Sequence, residues 1–224
     1  MICLQKNIDA ASLQVLDKTG LTLDLDLFNN RDLAFISETF TAETRRNEWL
    51  WGRLVLKKLL CERFEMEARK FFIGRNAHEK PIIIEPEFLK NSVSVSHKPP
   101  FYAAAVADVG LSVGVDIEIP IAGREAGFFG RFLSEDETQA FAESNTCLEA
   151  SVYFSFLWSF KEAYLKARGG TNLAQVKDSQ FRLVKTGLAG EFSAVPLLPL
   201  PVPAKTLWGF SGNGFVSALV VCEQ

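Results

Sequence analysis

The sequence predicts an α+β protein of two similar-sized lobes, because each half of the chain combines one long helical pattern with several strand patterns. The chain has 224 residues, of which 48% are hydrophobic and 23% are charged. This balance is typical of a folded globular protein and excludes collagen-like and disordered classes. We place the boundary between the lobes so that the predicted domains are residues 1–108 and residues 109–224.

The long helical pattern of the first half runs from Arg45 to Phe64. Trp49, Arg53 and Leu56 recur on one face at helical spacing, and we expect that face to pack on the core. Lys57 falls with the other charged residues, which lie largely elsewhere on the helix.

Four strand patterns follow this helix: IIIEP, SVSVSH, FYAAAVA and LSVGVDIEI. In the last of them, a period of two puts Val113 and Val115 on the core face. Asp116 and Glu118 then share the opposite, non-core face, about 7 Å apart at ~3.3 Å rise per residue, which is close enough to share one cation. A solvated strand face would give the same pattern.

The second half begins with a predicted capping box, in which Ser134 caps a helix and Glu137 reaches back to it. A second long helical pattern runs from Cys147 to Arg168 and ends at a diglycine, a typical helix terminator. The segments FRLV, TLWGF and FVSALVV predict closing strands, the last two around the turn SGNG. The proline-rich stretch Ala194 to Lys205 predicts a surface connection.

Composition and charge exclude several kinds of protein. A net charge of −3 argues against coating of nucleic acid, which needs a strongly basic surface. The longest apolar run, Phe101 to Ala107, is far shorter than the ~20 residues of a membrane-spanning helix. Gln5 and Lys6 interrupt the apolar start, so we expect no secretory signal and a cytoplasmic protein. The cysteines are widely separated and only two histidines are present, so no Cys/His zinc site is expected.

The helical segment WSFKEAYLKARGG carries the second charged cluster. Trp158, Glu162 and Lys166 follow one another at i, i+4 and i+8, close to one helix face. An ordinary surface pair between Glu162 and Lys166 would explain the spacing. Lys161 adds a second cation. A site that binds a metal on the glutamate and phosphate oxygens on the lysines would need these residue types.

A third cluster lies where the strand SVSVSH ends. Ser96 and His97 do not predict a hydrolase, because the only other histidine is His78. His97 suits a phosphate ligand or a strand-end hydrogen bond. Lys80, placed before a proline, is a candidate anion contact or a plain surface lysine.

Taken in order, the segments EKP, SVSVSHK, VGVDIE, RFLSEDE and WSFKEAYLKARGG resemble the signature segments of the Sfp-type 4′-phosphopantetheinyl transferases. The resemblance spans about Arg45 to Gly170. The G-[IV]-D-[IV]-E strand motif and the W-[ST]-x-K-E-x-x-x-K helix motif of the family match at Gly114, Asp116, Glu118, Trp158, Ser159, Lys161, Glu162 and Lys166. Two residues depart from the family pattern: Glu79 replaces a glycine, and Lys98 replaces a serine after Ser96 and His97.

The resemblance implies a fold of two similar α/β lobes related by a pseudo-twofold axis. It also implies an enzyme of the holo-[acyl-carrier-protein] synthase type, which transfers the phosphopantetheine arm of coenzyme A to a serine of an apo acyl- or peptidyl-carrier protein. Mg²⁺, or Mn²⁺ in its place, would be required, and adenosine 3′,5′-bisphosphate would be released. We expect a cytoplasmic monomer, which would serve fatty-acid, polyketide or nonribosomal-peptide synthesis.

The roles of individual residues follow from the same resemblance. The C-terminal lobe would hold the metal on Asp116, Glu118 and Glu162, and Glu162 or a metal-bound water would be the base. Lys161 and Lys166 would balance phosphate charge, and Lys166 would protonate the leaving group. The N-terminal lobe would contact the adenosine end and the 3′-phosphate through Arg46, Arg53, Lys80, Ser96, His97 and Lys98.

Other interpretations remain open at this point. A non-catalytic coenzyme A or carrier-binding homologue would explain the altered residues Glu79 and Lys98. A generic Mg²⁺-dependent phosphohydrolase would explain the carboxylates but not the ordered lysine and Ser-His segments. A candidate carrier-docking surface comprises Arg124, Phe128, Phe129, Arg131 and Phe132, whose phenylalanines would equally suit a core between the lobes.

Overall fold

The computed structural model describes residues 1–120, 129–144, 147–170 and 172–223, without the side chains of residues 129, 173 and 174. The chain forms two compact units, Met1–Leu111 and Ser112–Gln224. Each unit contains a β-sheet and a long helix, so the predicted mixed α/β class is confirmed. The pseudo-twofold relation stays a prediction. Within the described part of the chain, no helix has the length and apolar character that crossing a membrane requires.

The first unit is built on a four-stranded antiparallel sheet in the order β1-β2-β6-β5, with a separate hairpin of β3 and β4. Its strands are β1 (Ile2–Ile8), β2 (Ala11–Asp17), β3 (Phe72–Arg75), β4 (Pro81–Glu85), β5 (Val93–Lys98) and β6 (Phe101–Ala107). Its helices are α1 (Asn30–Thr39) and α2 (Glu43–Phe64). The predicted helix and the three predicted strands of this unit are confirmed, whereas α1, β1, β2 and β3 were not predicted.

Helix α2 packs on the sheet through the face that its periodicity predicts, since Leu56 and Leu60 are completely buried. Lys57 lies off this face, as the spacing predicts, but its side chain is also completely buried. Its ammonium donates to Asp32 at 2.5 Å and also to the backbone carbonyl oxygens of Leu27, Ala68 and Phe71. Asp32 comes from α1, an element whose position only the tertiary structure reveals.

The second unit is built on a five-stranded antiparallel sheet in the order β7-β11-β10-β9-β8, and its helix α4 packs on β8, β10 and β11. The strands are β7 (Leu111–Glu118), β8 (Phe181–Lys185), β9 (Glu191–Pro196), β10 (Ala204–Gly212) and β11 (Phe215–Glu223). The helices are α3 (Glu135–Ala142) and α4 (Ala150–Ala167).

Local signals predicted several of these elements correctly. The capping box of Ser134 and Glu137 is present at the start of α3. Gly169 follows α4 with a positive φ of 78°, as the diglycine predicted. The prediction for the proline-rich stretch was only partly right, because Glu191–Pro196 forms strand β9 between β8 and β10. The connection therefore begins only after Pro196.

The assignment of the two faces of β7 was right for Val113 and Val115, which are buried, but wrong for the opposite face. The face that carries Asp116 is not exposed: Asp116 is only 4% exposed, and this face packs against α4. Gly114 explains the close packing, because a Cβ atom at this position would collide with the backbone of Ala163 and Ala167. The backbones of β7 and α4 therefore lie in close contact, next to the charged residues of the two elements.

Candidate active site

Lys166 joins two carboxylates in the second unit. Its ammonium, on the last turn of α4, donates to the Asp116 carboxylate of β7 at 2.7 Å. It lies 3.5 Å from the Glu162 carboxylate one helical turn earlier. The carbonyl oxygen of Val115 accepts a further hydrogen bond from the same ammonium at 3.3 Å. The structure therefore brings together three of the residues that the sequence singled out.

Neighbouring charges in this cluster shift the pKa values of Glu162 and Lys166. Burial raises the pKa of Glu162, and the neighbouring Asp116 carboxylate raises it further. Lys166 opposes this shift, and Glu118 adds a smaller repulsion. Burial by itself would lower the pKa of Lys166, but Asp116 and Glu162 outweigh burial and raise it. Lys166 is therefore protonated at neutral pH.

Asp116, Glu118 and Glu162 supply the hard oxygen donors that Mg²⁺ prefers, and the charges of Asp116 and Glu118 both act on Glu162. Their chemistry fits a divalent cation. Within the ranges 1–120, 129–144, 147–170 and 172–223, however, no group of three or more His, Cys, Asp or Glu side chains is arranged to hold a metal ion. In the structure, the Lys166 ammonium provides the positive charge between Asp116 and Glu162. The predicted metal site stays a prediction.

Lys161 does not join this cluster, although it precedes Glu162 directly. Its side chain is 1% exposed, and its ammonium pairs with the Glu137 carboxylate of α3 at 2.9 Å. It also donates to the backbone carbonyl oxygens of Phe132 and Ser179. Burial lowers the pKa of Lys161, against the opposing effect of Glu137. These contacts favour a structural role over the predicted contact with phosphate.

In the first unit, His97 has a carboxylate partner. Its Nε2 atom lies 3.6 Å from the Glu48 carboxylate of α2. The imidazole stacks on Tyr102 at a ring-centroid distance of 5.9 Å and an interplanar angle of 9°. Burial raises the pKa of Tyr102 to about 12, with a smaller contribution from the Glu48 charge.

Ser96 and Lys98 flank His97 on β5, and successive strand residues point to opposite faces. His97 therefore shares its face with Tyr102 and α2, whereas Ser96 and Lys98 share the other face. Ser96 is buried and Lys98 is half-buried. The structure does not place the three side chains on one surface of the strand, and their predicted contact with one phosphate stays a prediction.

Arg46 and Arg53 lie on α2, but in different environments. Arg46 is half-buried and donates to the carbonyl oxygen of Phe40 at 3.1 Å. Arg53 is only 5% exposed, and its guanidinium lies 4.9 Å from the centroid of the Trp49 ring. Burial, with a smaller contribution from the Arg75 charge, lowers the pKa of Arg53 to about 9. A contact between Arg53 and adenosine stays a prediction.

Lys80 follows a tight turn in which Asn76 accepts hydrogen bonds from the backbone N–H groups of His78 and Lys80. Glu79 has a φ of 60°, in the left-handed region that favours glycine. Its carboxylate pairs with Arg75 at 2.5 Å. This geometry explains why the resembling family has a glycine here, and it places a carboxylate next in sequence to Lys80.

The predicted docking surface lies partly outside the described residues, which is the case for Arg124, Phe128 and the side chain of Phe129. Arg131 is exposed. Phe132 packs on the Trp158 ring of α4, with 4.5 Å between the ring centroids. A cleft of about 610 Å³ lies beside this segment. Its lining comprises Gly130, Leu133, Ser134, Glu135, Thr138, Gln139, Ala142 and Phe154.

Comparisons with known proteins show what the chain is similar to. Residues 112–204 match the model of the 4′-phosphopantetheinyl transferase superfamily. The segment contains β7, α3 and α4, and therefore all of the clustered charges of the second unit. The chain is also similar to the 4′-phosphopantetheinyl transferase psf-1 of Bacillus pumilus, with 30% identity over 131 residues.

The aligned region covers 58% of this chain and 52% of that relative. The chain thus spans about half the length of the curated relative that it matches. The resemblance to the 4′-phosphopantetheinyl transferase family is confirmed. Activity, substrates and partners are treated as proposals below.

Sequence reasoning missed two carboxylates that the structure makes prominent. Glu137 was recognised only as a capping residue, yet it also accepts from Lys161 and from the backbone N–H group of Phe181. Glu48 was not recognised at all. Neither contact has a signal in the sequence, because each joins residues more than twenty positions apart.

Proposed function

We propose that this chain transfers the 4′-phosphopantetheine arm of coenzyme A to a serine of an apo acyl- or peptidyl-carrier protein. The reaction is Mg²⁺-dependent, and adenosine 3′,5′-bisphosphate leaves. The observation that carries the proposal is the contact of Lys166 with both Asp116 and Glu162, inside the segment that matches the transferase superfamily.

The reaction exchanges a phosphoanhydride bond of coenzyme A for a phosphoester bond to the carrier serine. The serine oxygen of the carrier bonds to the phosphorus of the pantetheine phosphate, and the bond from that phosphorus to the adenosine bisphosphate breaks. The serine proton must be removed, and the leaving group gains negative charge. A site for this reaction therefore needs a base, positive charge and precise alignment.

The charged residues of the second unit meet these needs. Glu162 is the proposed base, either directly or through a water, because burial and the Asp116 charge raise its pKa and make it a stronger base. Lys166 is protonated before the reaction, balances the charge of the diphosphate and then donates its proton to the leaving group. The backbone contact of Gly114 with α4 holds Asp116 and Glu162 at a fixed separation.

Asp116, Glu118 and Glu162 are the residues that would hold the Mg²⁺ ion. When bound, such an ion polarises phosphate oxygens and neutralises their charge. In this proposal, residues 1–108 contact the adenosine end and residues 109–224 carry the metal site and the catalytic helix. A cytoplasmic monomer of the holo-[acyl-carrier-protein] synthase type remains part of the proposal.

The carrier partner is proposed to dock beside α3 and the short 3-10 helix of residues 129–131. Arg131 is exposed and suits an acidic partner, while Leu133, Ala142 and Phe154 give the adjacent cleft an apolar lining. Phosphopantetheine transfer requires the carrier serine to reach the second unit, and this cleft lies in that unit.

Intact-mass spectrometry tests the proposal. An apo acyl-carrier protein and an apo peptidyl-carrier protein are each incubated with this chain, coenzyme A and Mg²⁺. We expect a mass gain of one phosphopantetheine per carrier, abolished by EDTA and restored by excess Mg²⁺. A carrier that lacks its acceptor serine is the control and should gain no mass.

Two results would contradict the proposal. Coenzyme A binding without transfer to either carrier would favour a non-catalytic binding homologue. Release of phosphate from coenzyme A without any carrier would instead favour a phosphohydrolase.

A further inference from the structure

Ser159 lies on the face of α4 that carries the charged residues of the candidate site. Ser159, Glu162 and Lys166 follow one another at i, i+3 and i+7 within the helix. Side chains three and four positions apart are neighbours on a helix surface. The proposed function uses Glu162 and Lys166 but leaves Ser159 without a role. A hydroxyl group therefore stands one helical turn before the proposed base.

The hydroxyl of Ser159 is buried without a hydrogen-bond partner. The residue is 0% exposed, and no group in the described part of the chain forms a hydrogen bond with its Oγ atom. The great majority of buried polar groups in proteins are hydrogen-bonded, and an unpaired one destabilises the fold. An alanine would fill nearly the same space without this penalty. The hydroxyl is therefore better explained by function than by stability.

The Lys166 ammonium holds Glu162 less firmly than it holds Asp116. Its Nζ atom lies 2.7 Å from the Asp116 carboxylate but 3.5 Å from that of Glu162. A well-formed N–H···O bond measures about 2.7–3.2 Å. In the proposed function this ammonium acts on the phosphate groups and gives up its proton, so its hold on Glu162 weakens further. A second partner on the same helix face would keep the carboxylate aligned.

We infer that Ser159 is a positioning residue for Glu162 in the transfer reaction, an inference that rests on the proposed function. When Lys166 turns towards the phosphate groups, the Ser159 hydroxyl donates a hydrogen bond to one oxygen of the Glu162 carboxylate. The other oxygen is then held in place to take the proton of the carrier serine. Ser159 acts through Glu162 and touches neither substrate, because its side chain is buried.

Ser159→Ala tests the inference through kinetics and stability measured on one variant. We expect kcat for phosphopantetheine transfer to fall about tenfold, the effect of losing one neutral hydrogen bond. KM for coenzyme A and for the carrier should stay within about twofold of wild type, because no substrate contact is lost. The urea midpoint of unfolding should equal or exceed that of the wild-type chain, because the variant no longer buries an unpaired hydroxyl.

Two further variants separate the hydroxyl from its surroundings. Ser159→Thr keeps the hydroxyl, and threonine is the alternative residue at this position of the helix motif. This variant should restore most of the kcat that alanine loses. Ser151→Ala makes the same change at another buried serine of α4, about 16 Å from Glu162 along the helix. It should keep the wild-type kcat.

The outcomes separate this inference from the proposed function. Transfer by the wild-type chain with an unchanged kcat in Ser159→Ala would overturn the inference and support the proposed function. A lower urea midpoint in Ser159→Ala would also overturn the inference, because the hydroxyl would then stabilise the fold. The same holds for a folded Ser159→Thr variant that restores no kcat. Absence of transfer by the wild-type chain to either carrier would contradict the proposed function, and the inference with it.

Discussion

Lys161 and Glu137 form an ion pair in the interior of the second unit, with 2.9 Å between the ammonium and the carboxylate. The side chains are 1% and 0% exposed. Glu137 also accepts hydrogen bonds from the backbone N–H groups of Ser134 and Phe181. The pair therefore ties α4 to the start of α3 and to strand β8, directly beside Glu162.

Loss of the Lys161 charge should destabilise the protein strongly. We expect Lys161→Met to lower the free energy of unfolding by about 3–5 kcal/mol, because it leaves the Glu137 carboxylate buried without its cation. Urea denaturation measures the change. Lys177→Met, at an exposed lysine, is the matched control and should change stability by less than about 0.5 kcal/mol. A stable Lys161→Met variant with lost transfer would instead indicate a role in the chemistry.

Substitution of Asp116 tests the proposed transfer activity. We expect Asp116→Asn to reduce phosphopantetheine transfer by at least roughly 100-fold, because it removes the charge that holds Lys166 and would bind the metal. The rate is measured by intact-mass spectrometry at saturating Mg²⁺. Asp178→Asn removes a charge from an exposed ion pair with Arg168 and should keep nearly full activity. Wild-type turnover in Asp116→Asn would refute the proposed metal assignment.

Substitution of Gly114 tests whether the distance between the charged residues of β7 and α4 depends on the contact between their backbones. We expect Gly114→Ala to destabilise the protein by at least about 2 kcal/mol, because its Cβ atom would collide with the backbone of α4. Relief of the collision would displace the helix that carries Glu162 and Lys166, so activity should fall as well. Gly187→Ala is the control, since a Cβ atom there meets open space. Equal stability of the two variants in thermal unfolding would contradict this explanation.

We predict that the backbone conformation of Glu79 is strained. We expect Glu79→Gly to raise the free energy of unfolding by roughly 0.5–1 kcal/mol, because the left-handed conformation at φ 60° favours glycine. Its ion pair with Arg75 is largely exposed on the glutamate side and contributes little. Glu65→Gly, at φ 52°, should have the same sign of effect, whereas Glu87→Gly should not stabilise the protein. A loss of stability in Glu79→Gly would show that the ion pair outweighs the strain.

Local signals made a large part of this protein predictable. The helical period gave α2 and α4, the capping box gave the start of α3, and alternation gave β5 and β7. The charged motifs located Asp116, Glu162 and Lys166 because these residues lie in two short segments of fixed residue type. These features depend on neighbours within a few positions, and the sequence alone determines them.

Other features were decided only by the tertiary structure. The sequence placed Lys57 off the periodic face of α2 and Asp116 on a non-core face, yet both side chains are buried by elements from distant parts of the chain. Lys161 and Glu162 are adjacent on α4, but Lys161 pairs with Glu137 whereas Glu162 pairs with Lys166. The placement of Glu48 beside His97 likewise joins α2 to β5. Burial and long-range charge pairing depend on how the elements pack, and a linear pattern does not contain that information.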